Sequence, residues 1–331
     1  MKGAFIRSTG SPDVIEFGEL PEPRCGSHEV KIRVGAVSVN PIDTYIRNGA
    51  NYWPLPQPYI LGCDVAGTIV ELGSDVRSLK VGQRVWGSNQ GLLGRQGTFA
   101  ETICVDPCWL YPAPENVSDR ELAAVALVGI TAHLGLFSKA HLQSEEILFV
   151  RGGTGGVGSM VVQMAKAVGA RVITTAGSQA KAKRCYELGA DHVIEYHRDS
   201  IADSIKAYAP QGLDVFWETL RDPDFDLAVS SMRDGGRIVL MAGRDARPPF
   251  PVGPFYVKGC TLLGFAMFKE SVDKQNTAAA DINHWLRSGK LTAQIDRVLP
   301  LSEAREAHRL QEANTVQKQS NLAGKIVLEP E

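Results

Sequence analysis

The chain has 331 residues, 44% of them hydrophobic, and a formal net charge of −2 at neutral pH. That length supports two domains with separate cores, and the near-neutral charge, without any basic run, excludes a dedicated nucleic-acid footprint. Met1 to Arg7 lack the apolar core of a signal peptide, and the most apolar stretch, Leu122 to Phe137, is interrupted by Gly129, Thr131, His133 and Gly135. The expectation is a cytoplasmic protein without a membrane span.

The first 120 residues are β-rich, with short apolar or alternating runs at Val30 to Val37, Val65 to Leu72, Arg84 to Trp86 and Phe99 to Val105 between Gly, Pro and Asp turns. They predict a barrel-like β domain. Six scattered cysteines, Cys25, Cys63, Cys104, Cys108, Cys185 and Cys260, are too few for a disulfide scaffold, so free thiols are expected. Cys104 and Cys108, without a second pair nearby, make a poor zinc motif. Ser118 and Glu121 form a capping box that predicts a helix over Asp119 to Leu136.

From Glu146 the chain reads as an apolar strand running into Gly152-Gly153-Thr154-Gly155-Gly156-Val157-Gly158 and then an amphipathic helix ending near Gly169. Each glycine answers a steric demand: Gly153 for the sharp turn, Gly155 for approach of a pyrophosphate, Gly158 for helix-strand packing. The helix N-terminus near Gly156 would aim unpaired N–H groups at the phosphates. A second strand at Ala170 to Thr175 completes the βαβ unit of a dinucleotide site. Where a NAD-selective site carries an acidic residue, about 20 residues beyond the glycines, this chain has Gly177, Ser178 and Lys181. With no carboxylate to repel a 2′-phosphate and two groups able to hold it, NADPH is the expected cofactor, and Tyr196 offers a further hydroxyl. Lys181 and Tyr196 also read as ordinary solvated residues.

Further strand-helix repeats follow: His192 to Glu195, Ile201 to Ala209, Val215 to Glu218, Phe225 to Met232, Arg237 to Met241 and a last strand over Gly259 to Phe265. This alternation predicts a doubly wound parallel sheet. Helices are expected around Ala278 to Ser288 and Ser302 to Gln311, then a terminal strand, Gly324 to Leu328.

Several separated segments together carry a family resemblance: Asn40 to Arg47 (Asn-Pro-Ile-Asp-Thr-Tyr-Ile-Arg), Leu61 to Gly67, Gly82 to Val85, Gly97 to Glu101, Gly129 to Ala132, the glycine turn, and Leu188 to Asp191. In these the chain resembles the medium-chain dehydrogenase/reductase superfamily, and within it the zinc-free, zeta-crystallin-like quinone oxidoreductases. The resemblance implies an α/β fold in which a Rossmann domain, residues 125–265, is inserted into a GroES-like β-barrel catalytic domain, residues 1–124 plus 266–331, with a cleft where they meet. Zinc-dependent relatives carry Cys at the position of Asn40 and Gly-His-Glu at Gly62-Cys63-Asp64. The four-cysteine lobe is also missing between Ser88 and Cys104, so no metal is expected.

Without zinc to lower an alcohol's pKa, passing hydride from NADPH to an electron-poor quinone or α,β-unsaturated carbonyl is the easier chemistry. The resemblance implies that Asn40, Tyr45 and Tyr52 donate to the oxygen where charge grows, that Thr131 touches the nicotinamide, and that Asp43 orients its neighbours. Gly243, Arg244 and Lys325 are expected near the cofactor. Asn40 also reads as the cap of a helix starting at Pro41, and Tyr45 and Tyr52 as packing aromatics. Trp53 and Trp86 are either walls for a flat substrate or core residues, and His133 and His284 read as structural. Residues Phe216 to Arg221 and Gln317 to Asn321 depart from the branch's pattern, which leaves the acceptor open. Quinone reductase is the leading reading and enone reductase the second. A non-catalytic NADPH-binding protein, structural or RNA-associated, is the alternative of another class, and a zinc alcohol dehydrogenase the remaining one. A homodimer formed through the edge strand Thr261 to Phe265 is expected.

Overall fold

The computed structural model describes residues 1–50, 53–317, 319 and 322–331, and the chain divides into two compact units, 1–127 with 292–331, and 128–291. In the first unit the strands are β1 (Lys2–Ile6), β2 (Glu16–Glu19), β3 (Val30–Ser38), β4 (Tyr59–Ile60), β5 (Val65–Leu72), β6 (Arg84–Gly87), β7 (Thr102–Val105) and β8 (Leu110–Pro112), with helix α1 (Pro41–Arg47) after β3. Helix α2 (Asp119–His133) starts at the expected capping box: Glu121 accepts the Ser118 N–H at 2.9 Å and donates its own N–H to Ser118 Oγ at 3.3 Å. It carries the chain into the second unit and continues as a π-helical turn, Leu134–Lys139.

The second unit contains β9 (Ile147–Val150), α3 (Gly156–Ala167), β10 (Arg171–Ala176), α4 (Gln179–Glu187), β11 (His192–Glu195), α5 (Ile201–Tyr208), β12 (Leu213–Glu218), α6 (Phe225–Ser231), β13 (Met232–Leu240), α7 (Val252–Val257), β14 (Thr261–Gly264) and α8 (Val272–Arg287). The chain returns to the first unit with β15 (Ile295–Pro300), α9 (Ala304–Thr315) and β16 (Lys325–Glu329).

All pairings in the second unit are parallel, in the order β11-β10-β9-β12-β13-β14. Such a sheet is covered on both faces, which is why β9 reads Ile-Leu-Phe-Val with every residue buried. Phe149 and Phe216 pack at 4.8 Å between ring centroids in that core. The doubly wound sheet is therefore present as predicted. Its return point differs: residues 266–291 belong with this unit, not with the first. The reason is packing of α8 on the end of α2 and the π turn after it, where Asp281 bonds His133 at 2.8 Å and Trp285 lies 5.8 Å from Phe137.

In the first unit, β3 is the centre of a seven-stranded sheet, order β15-β16-β3-β5-β6-β8, with β7 pairing the start of β3 at Val30 to Arg33 while β16 pairs its end at Val37 and Ser38. A smaller sheet has the order β2-β1-β4. One sequence expectation fails here: Cys25 and Cys104 form a disulfide, because the Cys25 loop lies against β7 at a Cα separation of 5.3 Å. Cys63, Cys108, Cys185 and Cys260 are free thiols. The helix Asp119–Lys139 is long and apolar enough to cross a membrane by length and composition, but 78% of its apolar window is buried inside the protein, as in a core helix.

His308 of α9 is fully buried, with neither ring nitrogen hydrogen-bonded, and burial followed by the nearby Arg47 charge pushes it down to about 3. The unfolded chain therefore takes up a proton below about pH 6.5 that the folded chain refuses, so this stability is complete above that pH and is lost as pH falls toward 3. We expect the site to cost about 1.4 kcal/mol per pH unit in that window. Urea unfolding of wild type and His308→Leu at pH 7.5 and pH 5.5 checks it: the variant's stability should fall less steeply, and equal slopes would refute the assignment.

Candidate functional site

In an open parallel sheet, ligands bind beyond the carboxyl ends of the strands where the strand order reverses. Here the reversal lies between β9 and β12. Gly152 follows β9 by one residue and has φ +72, so it, and not Gly153, supplies the left-handed turn. Gly153 is required for a different reason: a Cβ there would lie 2.5 Å from Thr174 Oγ1 on β10. A Cβ on Gly158 would lie 2.2 Å from the Gly152 carbonyl oxygen, which confirms its expected packing role. Gly155 caps α3 from an extended conformation, and a Cβ there would crowd the Gly152 carbonyl oxygen at 3.3 Å, with no other atom within 4 Å of it. Thr154, Gly156 and Val157 complete this cradle. Its donor set, backbone N–H groups at a helix N-terminus, fits a pyrophosphate without a basic side chain.

The neighbouring strand ends bring the next group together. Ser178 caps α4, its Oγ accepting the Lys181 N–H at 3.3 Å, which leaves the hydroxyl proton able to donate outward. Tyr196, 41% exposed, follows β11, and its hydroxyl lies 2.3 Å from where a Cβ on Gly177 would stand. Gly177, Ser178, Lys181 and Tyr196 thus share the ends of β10 and β11. On the other half of the sheet, Gly243 has φ +78 and packs on the Arg221 carbonyl, so Gly243 and Arg244 lie beside the loop after β12. Thr131 is buried on α2.

Arg151 and Glu218 escaped the sequence reading. They follow β9 and end β12, nearly buried, 3.6 Å apart as an ion pair. Glu218 Oε1 accepts the Leu220 N–H at 2.7 Å, and burial pushes its carboxyl up while Arg151 opposes the shift. A carboxylate closing an apolar strand beside the glycine turn was the available signal.

The first unit gathers a second polar group. Asp64, fully buried after the turn at Gly62, accepts from Ser38 Oγ at 2.8 Å, Asn40 Nδ2 at 2.7 Å, Ser88 Oγ at 2.8 Å and the Leu127 N–H at 3.0 Å. The Lys325 ammonium, also buried, stands 3.9 Å from Asp64 and donates to the Val39 carbonyl at 2.7 Å and to Asn40 Oδ1. Asn40 is the N-cap residue of α1, paired with Asp43 in a capping box as one reading of the sequence expected, while its side-chain amide also points into this network. Asp43 accepts the Asn40 N–H at 2.8 Å, and its other oxygen accepts from Cys63 Sγ at 2.9 Å. Burial pushes the Asp43 carboxyl up to about 7, against the lowering by those two bonds. Burial raises Asp64 and lowers Lys325, each opposed by the other's charge.

Lys325 is therefore engaged within the first unit, which sequence reasoning, placing it at the cofactor, did not anticipate. Tyr45 lies half-buried on α1, while Tyr52 lies outside the described residues. Trp86 is fully buried and packs on Tyr111 at 4.9 Å, a core residue and not a substrate wall. His133 is buried and bonded to Asp281, consistent with a structural role.

Residues 26–115 match the family model described as alcohol dehydrogenase GroES-like domain, and residues 156–282 the model described as zinc-binding dehydrogenase. Quinone oxidoreductase of Sus scrofa is 30% identical over 314 residues, covering 93% of each chain. The 2-methylene-furan-3-one reductase of Solanum lycopersicum is 30% identical over 337 residues, covering 100% of this chain and 79% of that protein. Among solved structures, a mycobacterial protein complexed with NADPH superposes with a TM-score of 0.86 at 28% identity, covering 100% of both chains. The chain belongs to the quinone oxidoreductase family of the medium-chain dehydrogenase/reductase superfamily.

Proposed function

We propose that this protein is an NADPH-dependent quinone oxidoreductase that transfers hydride without zinc. The observation that carries the reading is the convergence of a glycine cradle with Ser178, Lys181 and Tyr196 at adjoining ends of β9, β10 and β11. The cradle takes the pyrophosphate on backbone N–H groups, and the second cluster takes the 2′-phosphate. Bound NADPH supplies the hydride. Thr131, Gly243 and Arg244 hold the cofactor's other half.

The residues at the family's zinc position do not fit the metal. Asp64 is surrounded by four hydrogen-bond donors and an ammonium, Asn40 is tied at both ends of its amide, and Cys63 bonds to Asp43. Among the described residues, the one His, Cys, Asp or Glu trio close enough to hold an ion is Cys25, Glu29 and Cys104. In this reading Asn40 and Asp43 are positioning residues that hold α1, and Tyr45 presents the hydroxyl that stabilises the growing charge on the acceptor oxygen. Likeness to the furanone reductase of Solanum lycopersicum supports enone reduction as a second reading.

A second copy of the chain is the proposed partner, paired through edge strand β14. Leu262 on that strand is 38% exposed, and Val252, Tyr256 and Val257 on neighbouring α7 are 63%, 69% and 73% exposed, an apolar patch continuous with unpaired strand backbone.

Stopped-flow oxidation of bound NADPH by 1,4-benzoquinone should be rapid, slower with NADH, and unchanged by a chelator; oxidation by a matched enone alone would favour the second reading. NADPH binding without turnover of either acceptor would leave a non-catalytic binding protein. Lys181→Ala should weaken NADPH binding about tenfold, the loss of one charge-assisted contact, and leave NADH binding unchanged; equal losses for both would remove Lys181 from the phosphate site. Sedimentation should give twice the monomer mass, and Leu262→Lys with Val257→Glu should return it to monomer. A monomer over a wide concentration range in the wild type would refute the dimer.

A further inference from the structure

We propose that Cys25, Glu29 and Cys104 form a site for a thiophilic divalent cation, zinc above all, which is competent when the two cysteines are reduced and closed when they are joined as a disulfide. The three side chains are only partly buried, and their ligand atoms all lie within 4.8 Å of one another. Local structure explains the grouping. Residues Gly26 to Glu29 form a turn, with the Glu29 N–H bonded to the Gly26 carbonyl at 3.1 Å, and Glu29 Oε2 accepts the Gly26 N–H at 2.8 Å. That turn places Glu29 beside Cys25. Backbone bonds from Gly73 to Glu29 at 2.8 Å and from Asp75 to Ser27 at 2.9 Å fix the turn on the β5 end of the sheet. Cys104 comes from β7, directly across from Lys31 on β3.

Two thiolates and a carboxylate suit a borderline-soft ion such as zinc, which takes sulfur at about 2.3 Å and oxygen at about 2.0–2.2 Å. Partial exposure leaves the fourth tetrahedral position to water. His28, on the same turn, is directed to Asp75 at 3.5 Å and is not part of the trio. Lys31, across from Cys104 on β3, has its ammonium 2.7 Å from Glu71 and is paired there. The chemistry closes. A dithiol reductant gives two electrons and two protons to the disulfide and becomes a disulfide itself; the two thiols then release two protons as the cation forms two metal-sulfur bonds.

This site is separate from the polar network around Asp64. Cys104 pairs at the start of β3 and Ser38 ends it, and seven residues of strand at about 3.3 Å each put roughly 20 Å between them. A cation here is structural and independent of hydride transfer.

The test uses the full-length protein, fully reduced with a dithiol and freed of it without air, or oxidised with diamide. Each is incubated with zinc, desalted and assayed for metal. Reduced wild type should retain one equivalent more than oxidised wild type, and one more than reduced Cys25→Ser/Cys104→Ser. Glu29→Gln should bind at least tenfold more weakly in a competition titration, with its NADPH oxidation unchanged. Cobalt in place of zinc should give a thiolate-to-cobalt charge-transfer band that the double variant lacks. Equal zinc in reduced wild type and the double variant, or a cobalt spectrum indifferent to the cysteines, would overturn the proposal.

Discussion

The buried Asp64 carboxylate is the constraint around which the first unit is arranged. Moving an isolated carboxylate out of water costs several kcal/mol, so the surrounding chain must return what water provided. It does so from widely separated segments: Ser38 at the end of β3, Asn40 before α1, Ser88 after β6, Leu127 on α2 and Lys325 on β16. The distance of 3.9 Å to Lys325 leaves most of the direct hydrogen bonding to neutral groups, with the ammonium supplying charge balance and fixing Asn40 from its other side. Removing any one partner would strand a charge or a donor, which makes the ends of the chain and its first hundred residues mutually dependent. Asp43 extends the same logic to α1, holding the helix entry through Asn40 and taking the Cys63 thiol proton as a hydrogen bond.

In the second unit the controlling constraint is steric. A parallel sheet aligns all its strand ends on one edge, so the turns after β9, β10 and β11 are neighbours without any long-range design. What remains is to keep atoms out of the way. Gly153 and Gly158 let β9, β10 and α3 close on one another, and at Gly155 an added Cβ would meet a single atom, the Gly152 carbonyl oxygen. Close packing at Gly153 and Gly158 and the sparsely surrounded Gly155 position come from the same short segment, and a helix N-terminus supplies the donors.

The second unit was largely legible in the sequence because its signals are local: apolar runs, capping residues and glycine spacing each act within a few residues. The exception is instructive. Gly152 and Gly153 are adjacent, and only the backbone decides which takes the positive φ and which faces Thr174. Long-range contacts were not legible. Lys325 sits in a strand whose alternation says nothing of Asp64, Asn40 read equally as a cap, and Arg151 with Glu218 needed the strand order before their nearness could be seen. The Cys25–Cys104 bond spans 79 positions, so composition argued for free thiols while folding placed the loop on β7. The return point of the chain was misplaced because α8 finds its partners, Asp281 with His133 and Trp285 with Phe137, on a helix far earlier in sequence.

Two groups of cysteine and carboxylate stand at opposite ends of β3, and residue type alone would rate them alike. At the far end, Asp64 oxygens meet four donors, and Cys63 keeps its thiol proton in a hydrogen bond to Asp43, so the carboxylate lone pairs a metal would need are already engaged and the sulfur is not the thiolate it would bind. At the near end, Glu29 is bonded by one backbone N–H and the sulfurs of Cys25 and Cys104 are occupied only by each other. A two-electron change frees both sulfurs at once, whereas no single event frees Asp64. Availability of lone pairs, and not the count of ligating side chains, separates a place that can take a cation from one whose charge is already answered by Lys325.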